Sequence, residues 1–324
     1  MTPSVQPEPF DPLRKGLYTP EELMEGYSTR HPGGSLDQRI ARYFLAAGGR
    51  SPRSAAAAIA ERLHDYGIDE ALRALLAGGD APPRVVGIMG SHSTRRDEPL
   101  YAQVCEIGWR LARAGFLVAT GGGPGLMEAA NLGAYLAHQR RRAVLGEAIR
   151  MLSAAPVAAV NSARYVNAAC RVRRLYPKGA ESLGVPTWVY PLEPVNLFAY
   201  HIAKYFSNSL REDGLIALGS HGVVLVSDTP GTVREAFQAA EQNSYWVGDR
   251  RSPTVVFGEH AGSSYELLRT YAKRDGYDDL LLHTDDPVEV VEFIIRTPPR
   301  VRPAASVSSD HEARIARPRR MTLR

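Results

Sequence analysis

The sequence predicts an α/β fold, a doubly wound parallel sheet with helices on both faces. Three observations carry this expectation. From Arg84 onward, short apolar runs alternate with amphipathic helical stretches. That alternation is the mark of β–α–β units, whose strands are covered on both sides. Glycine-rich turns stand at several strand-to-helix junctions, the edge where parallel sheets collect ligands. A length of 324 residues, 44% of them hydrophobic, is ample for one large core with room for a helical extension.

In chain order, residues 1–35 are rich in Pro, Gly and charge and are expected to be irregular. Helical periodicity follows over Leu36–Ala47 and Pro52–Leu76, with an expected break near Gly67. Pro82 and Pro83 end this N-terminal extension, 1–82. RVVGIMG (84–90) is a buried strand, Pro99–Ala114 a helix, Phe116–Ala119 a strand, and a helix runs from Gly125 to about His138. Pro186–Tyr190 is strand-like, Asn196–Glu212 helical, and Leu215–Leu218 a short strand or a helix end. Val223–Val226, Thr254–Phe257 and Leu280–His283 are strands, each followed by a helix: Gly231–Gln242, Ser263–Arg274 and Pro287–Arg296. The α/β domain thus spans 83–296, and a basic tail spans 297–324. Pro298, Pro299 and Pro303 break helices there, so the tail is expected to be disordered.

The formal charge of +4 belongs to that tail, which holds +6 from Arg296 onward and leaves −2 for the rest. A nucleic-acid-binding face on the folded body is therefore not indicated. No apolar run is long enough to cross a bilayer, and the start MTPSVQPEPFDPLRKG lacks the apolar centre of a secretion signal. Cys105 and Cys170 lie in helical stretches and not at metal-ligand spacing, so neither a metal site nor a disulfide framework is expected. A reducing cytoplasm is the simplest compartment.

Three turns carry the candidate chemistry. Gly90-Ser91-His92-Ser93 follows the first strand, where a glycine permits a tight turn and hydroxyls can bond a phosphate or a base. Thr120-Gly121-Gly122-Gly123-Pro124-Gly125-Leu126-Met127 follows the second strand and opens a helix. Glycines without Cβ let a ligand approach the backbone, and amides at a helix start favour an anion. Asp228-Thr229-Pro230-Gly231-Thr232-Val233-Arg234-Glu235 follows the strand GVVLV. Gly231 and Thr232 can hold a phosphate, with Glu235 one helical turn on, placed for ribose hydroxyls or water. The expected ligand is a nucleoside monophosphate or a related phosphorylated nucleotide on a Rossmann-like fold.

At these turns the chain resembles a known family. GGGPGLMEAANLGA (121–134) together with GTVRE (231–235) looks like the LOG family, once labelled lysine decarboxylases. The segment 182–215 is similar to a bacterial branch of Rossmann nucleotide-binding proteins. The resemblance implies a nucleoside 5′-monophosphate phosphoribohydrolase, which splits the N-glycosidic bond into free base and ribose 5-phosphate. It also implies a homodimer and no metal or redox cofactor. The family turn is PGGxGTxxE; here Gly231, Thr232 and Glu235 match, while Ser227, Asp228 and Thr229 replace Pro-Gly-Gly. By the same resemblance Arg211 stands where the family has an arginine on the preceding helix. Glu235 and Arg211 are the expected catalytic pair. Gly90, Ser91, Thr120, Gly121, Gly122, Gly123, Gly125, Met127, Gly231 and Thr232 are the expected nucleotide-binding residues.

The altered turn keeps a non-catalytic nucleotide-binding or sensing protein as the rival reading. A dinucleotide dehydrogenase ranks lower, because GSHSTR stands after the first strand where GxGxxG is needed. Pyridoxal phosphate chemistry ranks lower still: none of Lys15, Lys178, Lys204 and Lys273 sits in a recognisable cofactor setting.

Overall fold

The computed structural model of the chain describes residues 8–52, 54–79, 81–158, 163–191, 193–226, 229–258 and 262–303. Ser227 and Asp228 of the third turn, and the tail from 304 on, lie outside the described residues. Helices α1 (Pro20–Leu23), α2 (Leu36–Ala47) and α3 (Ala55–Ala77) lead into β1 (Val85–Gly90). Then come α4 (Pro99–Arg113), β2 (Leu117–Thr120), α5 (Leu126–Tyr135), α6 (Ala143–Leu152) and α7 (Ala163–Leu175). Strands β3 (Ser182–Gly184) and β4 (His201–Ile202) precede α8 (Asn208–Leu218), β5 (Gly222–Val226) and α9 (Pro230–Tyr245). The chain closes with β6 (Arg250–Arg251), β7 (Thr254–Phe257), α10 (Gly262–Asp275), β8 (Leu281–Thr284), α11 (Pro287–Arg296) and β9 (Arg300–Val301).

Seven strands form one parallel sheet in the order β4-β3-β2-β1-β5-β7-β8. The chain runs outward from β1 to β4, then returns to lay β5 on the other side of β1. The strand order therefore reverses between β1 and β5, which opens a crevice at their carboxyl ends. Side chains alternate along the strands. Val86, Ile88, Val118 and Val224 face a core with α4, α5, α6, α7 and α11. Val85, Met89, Ala119 and Leu225 face a second core with α2, α3, α8, α9 and α10. The doubly wound α/β architecture is thus present. No helix among the described residues is long and apolar enough to cross a membrane.

The N-terminal extension shares the second core. Trp188 donates to Asp37 Oδ1 at 2.9 Å, and Lys204 makes a buried ion pair with the same oxygen at 2.6 Å. Tyr18 hydrogen-bonds His64 at 2.8 Å, and Asp65 accepts from the amides of Phe206 and Ser207. Phe10, Tyr18, His64, Trp188 and Phe206 form one aromatic cluster.

Several local expectations need correction. Gly67 does not break α3; a Cβ there would lie 2.1 Å from Arg14 O, so this glycine admits the incoming N-terminal segment. The sheet strand lies at Ser182–Gly184 and not at Pro186–Tyr190, because Pro186 and Pro191 bracket a stretch suited to turns. Asn196–Glu212 is not one helix: β4 occupies His201–Ile202, and α8 starts at Asn208. Leu215–Leu218 is the end of that helix. Helix α6 falls where no element was expected, and α7 gives bounds to the helical stretch expected around Cys170. Residues Arg300–Val301 pair with Arg250–Arg251, and Arg302 N donates to Asp249 O at 2.8 Å, so the chain is held beyond Thr297.

Candidate functional site

The three turns lie at one edge of the sheet, since β2, β1 and β5 are neighbours running in one direction. Gly125 joins two of them. Its φ of +69° starts α5, and a Cβ would meet Ser91 O at 2.5 Å. That carbonyl accepts the Leu126 amide at 3.0 Å, so the first turn is bonded onto the start of α5. Gly90 serves the same junction, because a Cβ there would sit 2.9 Å from Leu126 Cδ1. The Ser91 hydroxyl bonds Ser93 Oγ at 2.7 Å and accepts the Ser93 amide.

The glycine loop is held from below. Thr120 is fully buried, donates to Asn131 Oδ1 at 2.6 Å and accepts the Gly122 amide at 3.0 Å. Asn131 in turn bonds Ser182 and accepts from Asn196. Gly122 packs against Pro186. The Met127 thioether covers Gly121 and Gly123. Behind the loop, Glu128 accepts from Arg96 at 2.7 and 2.5 Å, from Tyr101 at 2.9 Å and from Tyr165 at 2.8 Å. A buried charge so fully bonded is a rigid support for the start of α5.

Arg211 is the cation of the site. An ion pair with Glu212 or Asp213 at a solvated helix end is not what forms: Glu212 pairs with Arg234 at 2.5 Å, and Asp213 accepts from Gln238. Arg211 turns inward and donates from Nε to Val185 O at 2.8 Å and from Nη2 to Gly121 O at 3.2 Å. The space is there because Gly121 lacks a Cβ, which would lie 2.2 Å from Nη2.

Two carboxyls feel this guanidinium. Burial pushes the Glu235 carboxyl up to about 7, against the opposing pull of Arg211, with smaller effects from Glu212 and Arg234. Burial also raises Glu193, against Lys204, His92 and Arg211. A Cβ on Gly123 would lie 3.1 Å from Glu193 Oε2, which places this carboxyl over the glycine loop. Glu193 was not among the expected residues. Its only signal is an acid inside PLEPVN, between two prolines, which by itself marks no chemistry.

Thr232 is buried, and its hydroxyl bonds Thr229 Oγ1 at 3.0 Å while its amide donates to the same oxygen at 3.4 Å. Gly231 is exposed, and a Cβ there would touch only Thr229 Oγ1, at 4.0 Å. The arrangement therefore brings together Gly121, Gly123, Met127, Arg211 and Glu193, with Glu235 in the field of Arg211 and with Ser91 and Gly125 tied to the same edge. Thr120, Gly90 and Gly122 act through the protein interior.

Residues 83–145, from β1 through the glycine loop and α5, match the model of the SLOG cluster4 family. This segment is SLOG-like. The match contains the loop GGGPGLMEAANLGA, one of the two stretches on which the LOG-like resemblance rests; the other, GTVRE, lies outside it. None of the curated proteins matches the chain. Among solved structures, the chain is similar to the molybdenum cofactor binding protein of the phototrophic bacterium Rippkaea orientalis, at 15% identity and a TM-score of 0.41, covering 66% of this chain and 96% of that one. It is also similar to the molybdenum cofactor carrier protein of Chlamydomonas reinhardtii, at 17% identity and a TM-score of 0.41, covering 66% of this chain and 99% of that one.

Proposed function

We propose that the SLOG-like strand edge binds a nucleoside 5′-monophosphate and hydrolyses its N-glycosidic bond. The observation that carries this reading is Arg211 turned inward onto the glycine loop, with the carboxyls of Glu235 and Glu193 in its field. Breaking the bond sends the electron pair out with the base and leaves positive charge on the ribose. An ionised carboxylate fixed beside that charge stabilises it. Glu235 in its ionised form takes this task and accepts a proton from the attacking water, whose oxygen bonds to the sugar carbon. Glu193, whose protonated form burial favours, supplies the proton that the departing base takes up. Arg211 holds the phosphate at the loop. No metal or redox group enters these steps. A homodimer belongs to the same reading, and light scattering tests it.

Binding without turnover is the second reading, and the helix starts favour it. The Thr232 amide is engaged by Thr229 Oγ1 and the Leu126 amide by Ser91 O, so neither is offered to a phosphate. One experiment separates the two: incubation with a panel of nucleoside monophosphates, reading free base and binding together. Base release supports hydrolysis. Binding of AMP with no base released leaves the sensing protein, and no binding of any member ends both.

A further inference from the structure

Glu193 lies between β3 and β4, and the N-terminal extension meets that stretch at several points. Asp37, in the first turn of α2, accepts from Trp188 at 2.9 Å and from Lys204 Nζ at 2.6 Å. The amides of a helix start favour negative charge, which suits a carboxylate there. Gln38, next to it, donates to Pro191 O at 3.3 Å, just before Glu193. Leu23 of α1 lines a narrow cavity together with Gly122, Glu193 and Lys204.

Lys204 serves two acids. It forms a buried ion pair with Asp37, beside the Trp188 ring. Its ammonium also opposes the effect of burial on Glu193, ahead of His92 on the turn after β1 and Arg211 on α8. These three cations are the charged groups that act on Glu193 among the described residues. A lysine is a point charge on a flexible stem, so its charge goes where an acid holds it. Here Asp37 holds it. Without Asp37 the ammonium is left to Glu193, and a direct pair there would favour the ionised carboxyl.

We propose that α2 of the N-terminal extension positions Glu193 over the glycine loop, with Asp37 acting as a positioning residue through Lys204. Asp37 fixes the ammonium at one place beside Glu193 and keeps it from pairing with that carboxyl. Gln38 holds the backbone of the same stretch. The extension is thus part of the strand-edge site, although none of its residues enters the glycine loop. The catalytic consequence rests on the proposed function, in which Glu193 gives a proton to the departing base. The coupling between Asp37, Lys204 and Glu193 does not.

The test reads Glu193 without substrate, by infrared pH titration of the full chain. The protonated-carboxyl band that disappears when Glu193→Gln is added to each protein belongs to Glu193, and its loss with pH gives a midpoint. Asp37→Asn keeps shape and frees the ammonium, so the midpoint should fall by about one pH unit, as a newly paired cation makes it do. Lys204→Met removes the cation, so the midpoint should rise. Damage to the fold alone would not move the two in opposite directions. Removing both charges is milder than stranding one, so Asp37→Asn/Lys204→Met carries the test if a single variant fails to fold, and its midpoint should also rise. Midpoints that stay in place, or that move the same way in both single variants, overturn the proposal. An unmoved midpoint in the double variant does the same. Where the wild type releases base, Asp37→Asn should slow release about tenfold or more, with AMP binding less affected. Shifted midpoints with unslowed release support the coupling and remove Glu193 from the reaction. Shifted midpoints in a protein that releases no base support the coupling and end the hydrolysis reading alone.

Discussion

Arg211 reaches the glycine loop because Gly121 has no side chain, and this makes Gly121 a direct probe of the site. Gly121 is not in the left-handed region, so alanine fits the backbone, but its Cβ would sit 2.2 Å from Arg211 Nη2. Gly121→Ala should therefore displace the guanidinium and weaken nucleoside monophosphate binding about tenfold, with little change in melting temperature. Equal affinity in titrations of the two proteins would remove Arg211 from the phosphate. Glu235→Gln keeps the shape and removes the charge. It should cut base release on the order of 10²-fold or more, with binding less affected. The carboxyl stands at about 7 and works ionised, so kcat/KM should rise with pH through that value and level off above it. A flat profile between pH 5 and 8 in the wild type would reassign the residue. Glu235 was legible from GTVRE, whose spacing puts it one turn into a helix after a strand. Glu193 was not, because its place over the loop depends on β3, the turn after it and Lys204 all being folded.

At the scale of elements, α5 is fastened by Glu128. Its carboxylate accepts from Arg96 and two tyrosines, and both Arg96 and Glu128 are nearly fully buried. Glu128→Ala leaves the Arg96 charge unpaired in the interior and should cost about 3–5 kcal/mol of stability. Thermal or urea unfolding measures it, and a loss below about 1 kcal/mol would show that Arg96 finds solvent or another partner. The sequence shows Glu128 only as an acid in a helical run; its partners come from the loop after β1, from α4 and from α7, far away in the chain. Strands were legible where apolar β-branched residues run together, as in GVVLV and TVVF. β3 and β4 were not, because SLG and HI are too short to show a period. They are strands only because β2 offers an edge to β3, and β3 in turn offers one to β4.

For the molecule as a whole, the raised carboxyls set a pH dependence of stability. Glu235 and Glu61 both stand at about 7, against 4.5 in the unfolded chain. The folded state thus holds protons that the unfolded state gives up. Their contribution is fully present below about pH 4.5 and is lost as pH rises through about 7. The melting temperature of the wild type should fall across that window relative to the Glu61→Gln/Glu235→Gln double variant. Parallel melting curves of the two proteins from pH 4.5 to 7.5 would show that these groups stay solvated.

The sequence by itself determined the α/β class and the strands around the crevice, and it singled out Gly121 and Glu235 as candidates. Periodicity and glycine placement are local properties, decided within one strand-turn-helix unit. Only the tertiary structure decided which way Arg211 points, that Glu193 joins it, and that the N-terminal helices share the core of the sheet. Those outcomes depend on groups distant in the chain competing for the same donors and the same space. Arg211 takes Val185 O and Gly121 O because Glu212 is already held by Arg234. Lys204 takes Asp37 from a helix more than 150 residues earlier, at 2.6 Å in a buried pocket beside Trp188. Burial then sets the charge of each acid, because the cost of ionising a carboxyl depends on what the folded chain has placed around it.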